Sequence, residues 1–228
     1  MVVAALVLSA GASCSRSRIA SQEFTPSPAQ AIERRIAAKI ESRLPVWLRS
    51  WRREVPGLEL PSFRRVGDVP ITRDVIRPLE AADQPEEKFR LVACSPDGSR
   101  CVDPYITLEF EDGEPMSDID NGVALIDRNR GTWSRLLYCG TPCGYDDALW
   151  IDRDVFVVVG DSEYVPESGE QRCGEGTPCT YTALVYVFDL AANRMATYQG
   201  PESTTRPMSY LDEKLVSVGL LKRSDLEP

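Results

Sequence analysis

The chain of 228 residues contains no histidine, and lysine supplies only four of its 26 basic side chains. Without histidine, the chain cannot build a Ser-His-Asp or Cys-His nucleophilic system or a histidine-ligated metal site. It also lacks a glycine-rich phosphate loop and a GxSxG motif, which are typical of nucleotide-binding proteins and α/β-hydrolases. Any catalytic chemistry is therefore left to carboxylates, and the sequence predicts no cofactor.

Charge is spread unevenly along the chain, whose formal net charge is −9. Residues 28–54 carry seven basic and three acidic side chains, whereas residues 55–228 carry 17 basic and 31 acidic ones. Proteins that bind nucleic acid present basic surfaces to the phosphate backbone. The acidic body therefore argues against nucleic acid as a partner.

The N-terminus begins with a short apolar run. Residues 2–8 read VVAALVL, and five small residues follow before Cys14. Residues 1–14 resemble the signal peptide of bacterial lipoproteins, in which the cysteine is lipidated and becomes the first residue. The resemblance implies a membrane anchor through Cys14 and a place in the cell envelope, on the periplasmic face of the outer membrane. The alternative is ordinary secretion after Ala10-Gly11-Ala12, which is an A-x-A cleavage site and would give a soluble periplasmic or secreted protein.

Seven cysteines are consistent with this export. If Cys14 is acylated, six remain, and proximity along the chain favours three local disulfides in an oxidising compartment. The alternative of a zinc site is disfavoured, because the chain has neither histidine nor a CxxC pair. The predicted disulfides are Cys94–Cys101, Cys139–Cys143 and Cys173–Cys179.

Composition divides the rest of the chain into four segments. Residues 15–28 are polar and predict a tether. Residues 29–54 predict an amphipathic helix with an aliphatic stripe at i, i+4 spacing and a break near Arg43–Leu44 caused by Pro45. The stripe is expected to pack on the protein's own sheet, and the alternative is a basic helix that lies on the membrane beside the anchor. Residues 55–89 predict a proline-rich connector with one short strand near Val69–Val75. Residues 90–228 predict a β domain. The stripe consists of Ile32, Ile36, Ile40, Leu44 and Leu48.

Short β-branched and aromatic runs separated by turns predict a mainly β fold, either an antiparallel meander or two blade-like sheets with the N-terminal helix. The candidate strands are Phe89–Cys94, Arg100–Phe110, Gly122–Asp127, Thr132–Cys139, Ala148–Ile151, Val155–Gly160, Tyr181–Asp189, Met195–Gln199, Met208–Leu211 and Lys214–Leu220.

Two segments of the sequence, about 60 residues apart, have a similar order of residue types, as in repeat proteins. Trp150–Gly160 and Tyr210–Gly219 each read aromatic, aliphatic, Asp, charged turn, apolar run and Gly. Four strands in such a unit, together with the Ser95-Pro96-Asp97-Gly98 turn, resemble the blades of β-propellers. The resemblance implies blade-like sheets, in a number too small for a closed propeller.

Carboxylates form two candidate sites. Asp118 and Asp120 offer oxygen ligands at alternate positions of an acidic loop, as calcium sites do, but a third acidic ligand and a terminal Glu are missing, so a solvated loop explains them better. Asp146 and Asp147 stand beside aromatic residues and are the candidate catalytic pair of a carboxylate-dependent hydrolase. Against this second site, adjacent strand residues point to opposite faces of a sheet, so that they would not share one substrate.

The sequence thus predicts a lipid-anchored envelope protein that acts as a non-catalytic protein-interaction or structural module, with an envelope protein as its partner. The alternatives are a carboxylate-dependent hydrolase and a carbohydrate-binding module that uses tryptophan and tyrosine side chains. Exposure of Trp133 or Trp150 would favour the carbohydrate-binding module, because sugars stack on exposed aromatic rings.

The lipoprotein resemblance predicts that the mature protein begins at an acylated Cys14. Mass spectrometry of the N-terminal peptide from envelope preparations should find the lipid-modified cysteine. An unmodified peptide that begins at Ser13 would instead establish ordinary secretion.

Overall fold

The computed structural model describes residues 31–83, 90–111, 114–117, 120–140, 143–163, 179–207 and 210–225. Within these residues the fold is mainly β, as predicted, with twelve strands in three antiparallel sheets. The strands are β1 (Arg64–Pro70), β2 (Val75–Pro78), β3 (Ala93–Cys94), β4 (Arg100–Asp103), β5 (Leu108–Glu111), β6 (Glu114–Ser117), β7 (Asn121–Asp127), β8 (Thr132–Cys139), β9 (Cys143–Trp150), β10 (Val155–Glu163), β11 (Tyr181–Asp189) and β12 (Arg194–Ser203). Three α-helices accompany them in the described residues: α1 (Arg34–Arg43), α2 (Pro45–Glu54) and α3 (Tyr210–Ser217).

Each large sheet contains a four-stranded antiparallel unit, β9 to β12 in the first sheet and β3, β4, β7 and β8 in the second, which agrees with the prediction of two blade-like sheets. The first sheet has the order β1-β12-β11-β10-β9, so that β9 to β12 are neighbours in chain order. The second sheet has the order β2-β8-β7-β4-β3. The β5–β6 hairpin, which follows β4 and precedes β7 in the chain, forms a separate two-stranded sheet. Consecutive antiparallel strands need only short turns, which explains why the sequence shows turn residues between most strands.

The proline-rich connector supplies an edge strand to each sheet. β1 pairs with β12 in the first sheet, and β2 pairs with β8 in the second. The prediction of one strand over Val69–Val75 is wrong, because that range spans the crossing between the two strands. Pro70 and Pro78 end β1 and β2, in keeping with the tolerance of sheet edges for a residue without an N–H donor.

The two N-terminal helices cover the outer face of the first sheet. Ile36 and Ile40 on α1 and Trp47 and Trp51 on α2 are buried in one core with the sheet residue Val157. Pro45 occupies the first turn of α2, where its missing N–H costs nothing, and Leu44 separates the helices. The predicted aliphatic stripe and the predicted break at Pro45 are therefore both present.

The opposite face of the first sheet packs on the second sheet. Val102 and Val123 of the second sheet share a core with Phe156, Val158 and Phe188 of the first. The rings of Phe156 and Phe188 stack with their centroids 4.6 Å apart. The order of layers is thus helices, first sheet, second sheet, and the middle layer is covered on both faces.

The end of the β domain is helical, so the predicted strands Met208–Leu211 and Lys214–Leu220 are wrong where the structure describes them. Leu211, Leu215 and Val218 recur at helical spacing and pack in a third core with Leu91. Gly219 ends the helix with a positive φ of 74°, as glycine does after many helices. The likeness of Tyr210–Gly219 to Trp150–Gly160 is therefore one of sequence and not of structure, and the predicted repeat ends before α3.

The predicted strand Arg100–Phe110 is two strands, β4 and β5, separated by a turn. Pro104 follows β4 and cannot donate to a ladder. The Asp103 carboxylate accepts a hydrogen bond from the Tyr105 backbone N–H at 2.8 Å and holds this turn.

Two of the predicted disulfides are present in the described residues. Cys94–Cys101 joins β3 to β4, and Cys139–Cys143 joins the second sheet to the first. Cys179 is also disulfide-bonded, while Cys14 and Cys173 lie outside the described residues. The two disulfides indicate an oxidising compartment outside the cytoplasm. Among the described helices, none has the length and apolar composition needed to cross a membrane.

Replacement of Ile36 by Asp should destabilise the fold by several kcal/mol, because the side chain is 2% exposed and an unpaired charge would be buried there. Thermal unfolding of the chain without residues 1–14 would measure the effect. Ala38→Asp, at an exposed position on the same helix, is the control and should melt close to the parent. Equal melting of both variants would contradict the packing of α1 on the sheet.

Candidate functional site: a carboxylate pocket beside the first sheet

An irregularity in β9 brings Asp146 and Asp147 to the same face of the first sheet. Asp147 lies opposite Val159 and Tyr145 lies opposite Gly160, so Asp146 is an extra residue on its strand, a β-bulge. Trp47 of α2 donates to Asp146, and Tyr210 of α3 donates to Asp147. The expectation that the pair points to opposite faces is therefore wrong, because the bulge interrupts the alternation of the strand.

A third carboxylate belongs to the same face. Asp161 on β10 pairs in register with Gly144 on β9, and it lines the same cavity as Asp146. A Cβ atom at position 144 would lie 2.5 Å from Nη2 of Arg206. Glycine at this position thus leaves room for the Arg206 guanidinium to reach Asp161.

Asp147 is held as a structural ion pair. Its side chain is 3% exposed, and Oδ2 accepts hydrogen bonds from Lys214 Nζ at 2.6 Å and from the Tyr210 hydroxyl. Oδ1 accepts from the backbone N–H of Ala148 at 2.8 Å. Both oxygens of Asp147 therefore have partners, as a buried carboxylate requires.

Asp161 has a partner on one oxygen only. Its side chain is 4% exposed, and Oδ2 accepts from Arg206 Nε at 3.0 Å. Among the described residues, no group hydrogen-bonds to Oδ1, although this atom is buried. A buried carboxylate oxygen without a partner costs free energy that a bound donor would recover.

Asp146 retains its proton at neutral pH. Burial raises its pKa to about 8, the nearby charge of Asp161 adds to the rise, and the hydrogen bond from Trp47 Nε1 at 2.9 Å and the charge of Arg206 oppose it. Burial also raises the pKa of Asp161, against the opposing charge of Arg206. Two buried carboxyls that interact in this way titrate as a pair.

The cavity in front of these groups has a volume of about 240 Å³. This is smaller than the pockets that hold drug-sized ligands, which start near about 300 Å³, so it suits a small molecule or one long side chain. Its lining combines acidic, basic, aromatic and amide groups with the loop after β12. The polar lining residues are Tyr105, Thr107, Asn121, Tyr145, Asp146, Asp161, Arg206 and Tyr210.

The other predicted site residues lie elsewhere. Asp120 accepts a hydrogen bond from the Tyr138 hydroxyl, and Asp118 lies outside the described residues. Across the described ranges, no three residues among His, Cys, Asp and Glu are arranged to hold a metal ion.

The two tryptophans of the carbohydrate hypothesis are half-buried. The guanidinium of Arg77 lies 4.4 Å from the ring centroid of Trp133, and that of Arg100 lies 5.6 Å from the ring of Trp150. Trp150 also donates its N–H to the Ala93 carbonyl at 2.8 Å. Both rings are thus engaged within the protein, which leaves little free aromatic face for a sugar.

Sequence reasoning found Asp146 and Asp147 but missed Asp161 and Arg206. The signal for Asp161 was a carboxylate directly after the apolar run of β10, preceded by Gly160. A Cβ at position 160 would lie 2.1 Å from the Gly144 carbonyl oxygen, and isolated strand glycines of this kind indicate bulges or close backbone approach.

Comparisons with protein-family models, with curated proteins and with solved structures find no match for this chain. The geometry of the pocket therefore carries the functional argument.

The raised pKa of Asp146 predicts that stability falls as the pH rises from about 5 to about 8. In this range the folded protein keeps a proton that the unfolded chain has lost, so the free energy of unfolding decreases by up to about 1.4 kcal/mol per pH unit. Asp146→Asn has no proton to lose there, and its stability should depend less on pH. Urea unfolding followed by tryptophan fluorescence measures both.

The exposed Glu59→Gln variant serves as the control and should follow the parent. Parallel stability curves for the parent and Asp146→Asn would show that Asp146 titrates normally.

Proposed function

We propose that the chain is a non-catalytic protein-interaction module of the cell envelope, held at the membrane by lipidated Cys14, and that the carboxylate pocket receives a basic side chain of its partner. Within the described residues, the buried Oδ1 of Asp161 has no hydrogen-bond partner. This observation carries the proposal, because a guanidinium or ammonium group would give that atom the missing hydrogen bond. The size of the cavity suits one lysine or arginine side chain.

The charge of the carboxylate pocket favours a cationic ligand once Asp146 is ionised. Asp146, Asp161 and Arg206 line the cavity, and they sum to zero while Asp146 is protonated and to −1 once it is ionised. A bound cation stabilises the ionised form of Asp146 and thereby lowers its pKa from about 8. Binding below that pH therefore releases a proton.

Proton release gives the proposal a specific signature. The affinity for n-butylguanidinium, a mimic of the arginine side chain, should increase by up to about tenfold per pH unit from about pH 6 to about pH 8 and then level off. Calorimetric titration in buffers of different ionisation enthalpy measures the affinity and the released proton together.

Asp161→Asn should weaken this binding by about tenfold or more, because the amide removes the charge that faces the cation. Glu202→Gln, at an exposed position on β12, is the matched control and should bind like the parent. Binding that is independent of pH and unaffected by Asp161→Asn would refute the pocket as the cation site.

Affinity purification from envelopes tests the partner itself. The lipidated parent should retain an envelope protein that the Asp161→Asn variant, equally abundant and equally lipidated, loses. A partner retained by both would place the interaction surface elsewhere on the molecule.

A carboxylate-dependent hydrolase is the second candidate, and the different protonation states of Asp146 and Asp161 favour it. Asp146 is protonated near neutral pH, while Asp161 is paired with Arg206, which is the division into acid and base that glycoside hydrolysis uses. Turnover of aryl glycosides that disappears in Asp146→Asn would establish this activity in place of simple binding.

A further inference from the structure

A second cleft, lined by another turn of α3, is rich in basic side chains. Its volume is about 470 Å³, and α1, the segment before β3, the end of β9 and α3 line it. Four of its lining residues are basic, namely Lys39, Arg43, Arg90 and Lys214, and one is acidic, namely Asp147. The cleft is therefore strongly positive in a protein whose net charge is −9.

Three of the four cations lack a counter-ion. Lys214 is paired with Asp147 at 2.6 Å. Within the described part of the chain, no carboxylate forms a salt bridge with Lys39, Arg43 or Arg90, and Arg90 makes one long contact of 3.5 Å to the Val218 carbonyl oxygen. Some other surface arginines are paired within the fold, for example Arg135 with Asp74 at 2.6 Å.

The fold places these like charges together. Lys39 and Arg43 are four residues apart on α1 and thus lie one above the other on the same helix face. Like charges at this spacing destabilise a helix, and their position in its last turns, where the dipole favours cations, offsets part of that cost. Arg90 belongs to a separate segment and lines the same cleft. Because Arg90 is not on α1, the dipole of that helix does not explain its position there.

We propose that this cleft binds a phosphate group. A phosphate carries up to two negative charges and several acceptor oxygens, and it would supply the counter-charge that Lys39, Arg43 and Arg90 lack. The cleft has room for more than an inorganic ion, so the ligand is a phosphate ester. Its source is either a soluble phosphate compound or the phosphodiester headgroup of an anionic lipid.

The phosphate cleft is distinct from the carboxylate pocket. Tyr210 and Leu211 of α3 line the pocket, whereas Lys214 of the same helix lines the cleft. The proposal therefore does not depend on the function proposed for the pocket, and a loss of binding in one site leaves the other testable.

Two binding measurements on the full-length protein distinguish the sources of phosphate. Glycerol 3-phosphate and glycerol 2-phosphate, two soluble phosphate esters, are titrated calorimetrically at constant ionic strength in detergent-solubilised protein. Co-flotation then compares the proteins on phosphatidylglycerol vesicles and on phosphatidylcholine vesicles, with Cys14→Ser introduced in every protein so that a lipid anchor does not contribute.

The variants Lys39→Gln, Arg43→Gln and Arg90→Gln should each weaken phosphate binding by about tenfold, because each removes a charge-assisted contact. Arg49→Gln, at an exposed position of α2 outside the cleft, is the matched control and should bind like the parent. All four positions are exposed, and equal melting temperatures would verify that the variants remain folded.

Binding of the soluble compounds that the three variants weaken and Arg49→Gln does not would establish a soluble phosphate ester as the ligand. Selective flotation with phosphatidylglycerol that depends on the same three residues, without binding of the soluble compounds, would assign the cleft to a lipid headgroup. Absence of both, or equal loss in Arg49→Gln and in the cleft variants, would overturn the proposal.

Discussion

The burial of the first sheet on both faces is the constraint on which the rest of the structure depends. One face is closed by the second sheet and the other by the helices, with Trp47 and Trp51 fully buried. Any polar group placed on the helix-covered face must therefore find partners there or remain unpaired at a cost. This constraint explains why Asp147 is bonded through both oxygens, and it makes the free oxygen of Asp161 informative.

The helix α3 contributes residues to both the carboxylate pocket and the phosphate cleft. Its Tyr210 and Lys214 both donate to Asp147, although one residue lines the carboxylate pocket and the other lines the phosphate cleft. The Asp147–Lys214 ion pair lines the cleft, and Asp147 also accepts a hydrogen bond from Tyr210, which lines the pocket. An anion in the cleft would compete with Asp147 for Lys214, and such competition provides a physical route by which occupancy of one site affects the other.

Local sequence patterns predicted the strands whose bounds depend on neighbouring residues. They failed where contacts with distant parts of the chain determine the secondary structure. The strands Thr132–Cys139 and Tyr181–Asp189 have their predicted bounds, because turn residues flank continuous β-forming runs. The segment around Leu211 and Leu215 was predicted as strand because its order of residue types copies that of β10, yet its apolar residues have helical spacing.

The carboxylate pocket shows the same difference between local sequence patterns and distant contacts. The sequence identified Asp146 and Asp147 as candidates, but a bulge depends on the partner strand and is not visible in strand alternation. Arg206 reaches Asp161 across 45 residues of sequence, and no local signal predicts such a pair.

Lack of histidine gives the buried carboxyls their importance. Histidine is the only side chain whose ordinary pKa lies between about 5 and 8, so this chain can respond to pH in that range only by shifting the pKa of another group. Burial does this for Asp146 and raises its pKa to about 8. Burial of the site under α2 and the negative charge of Asp161 together raise the pKa of Asp146. The protein therefore has a group that titrates near neutral pH although it contains no histidine.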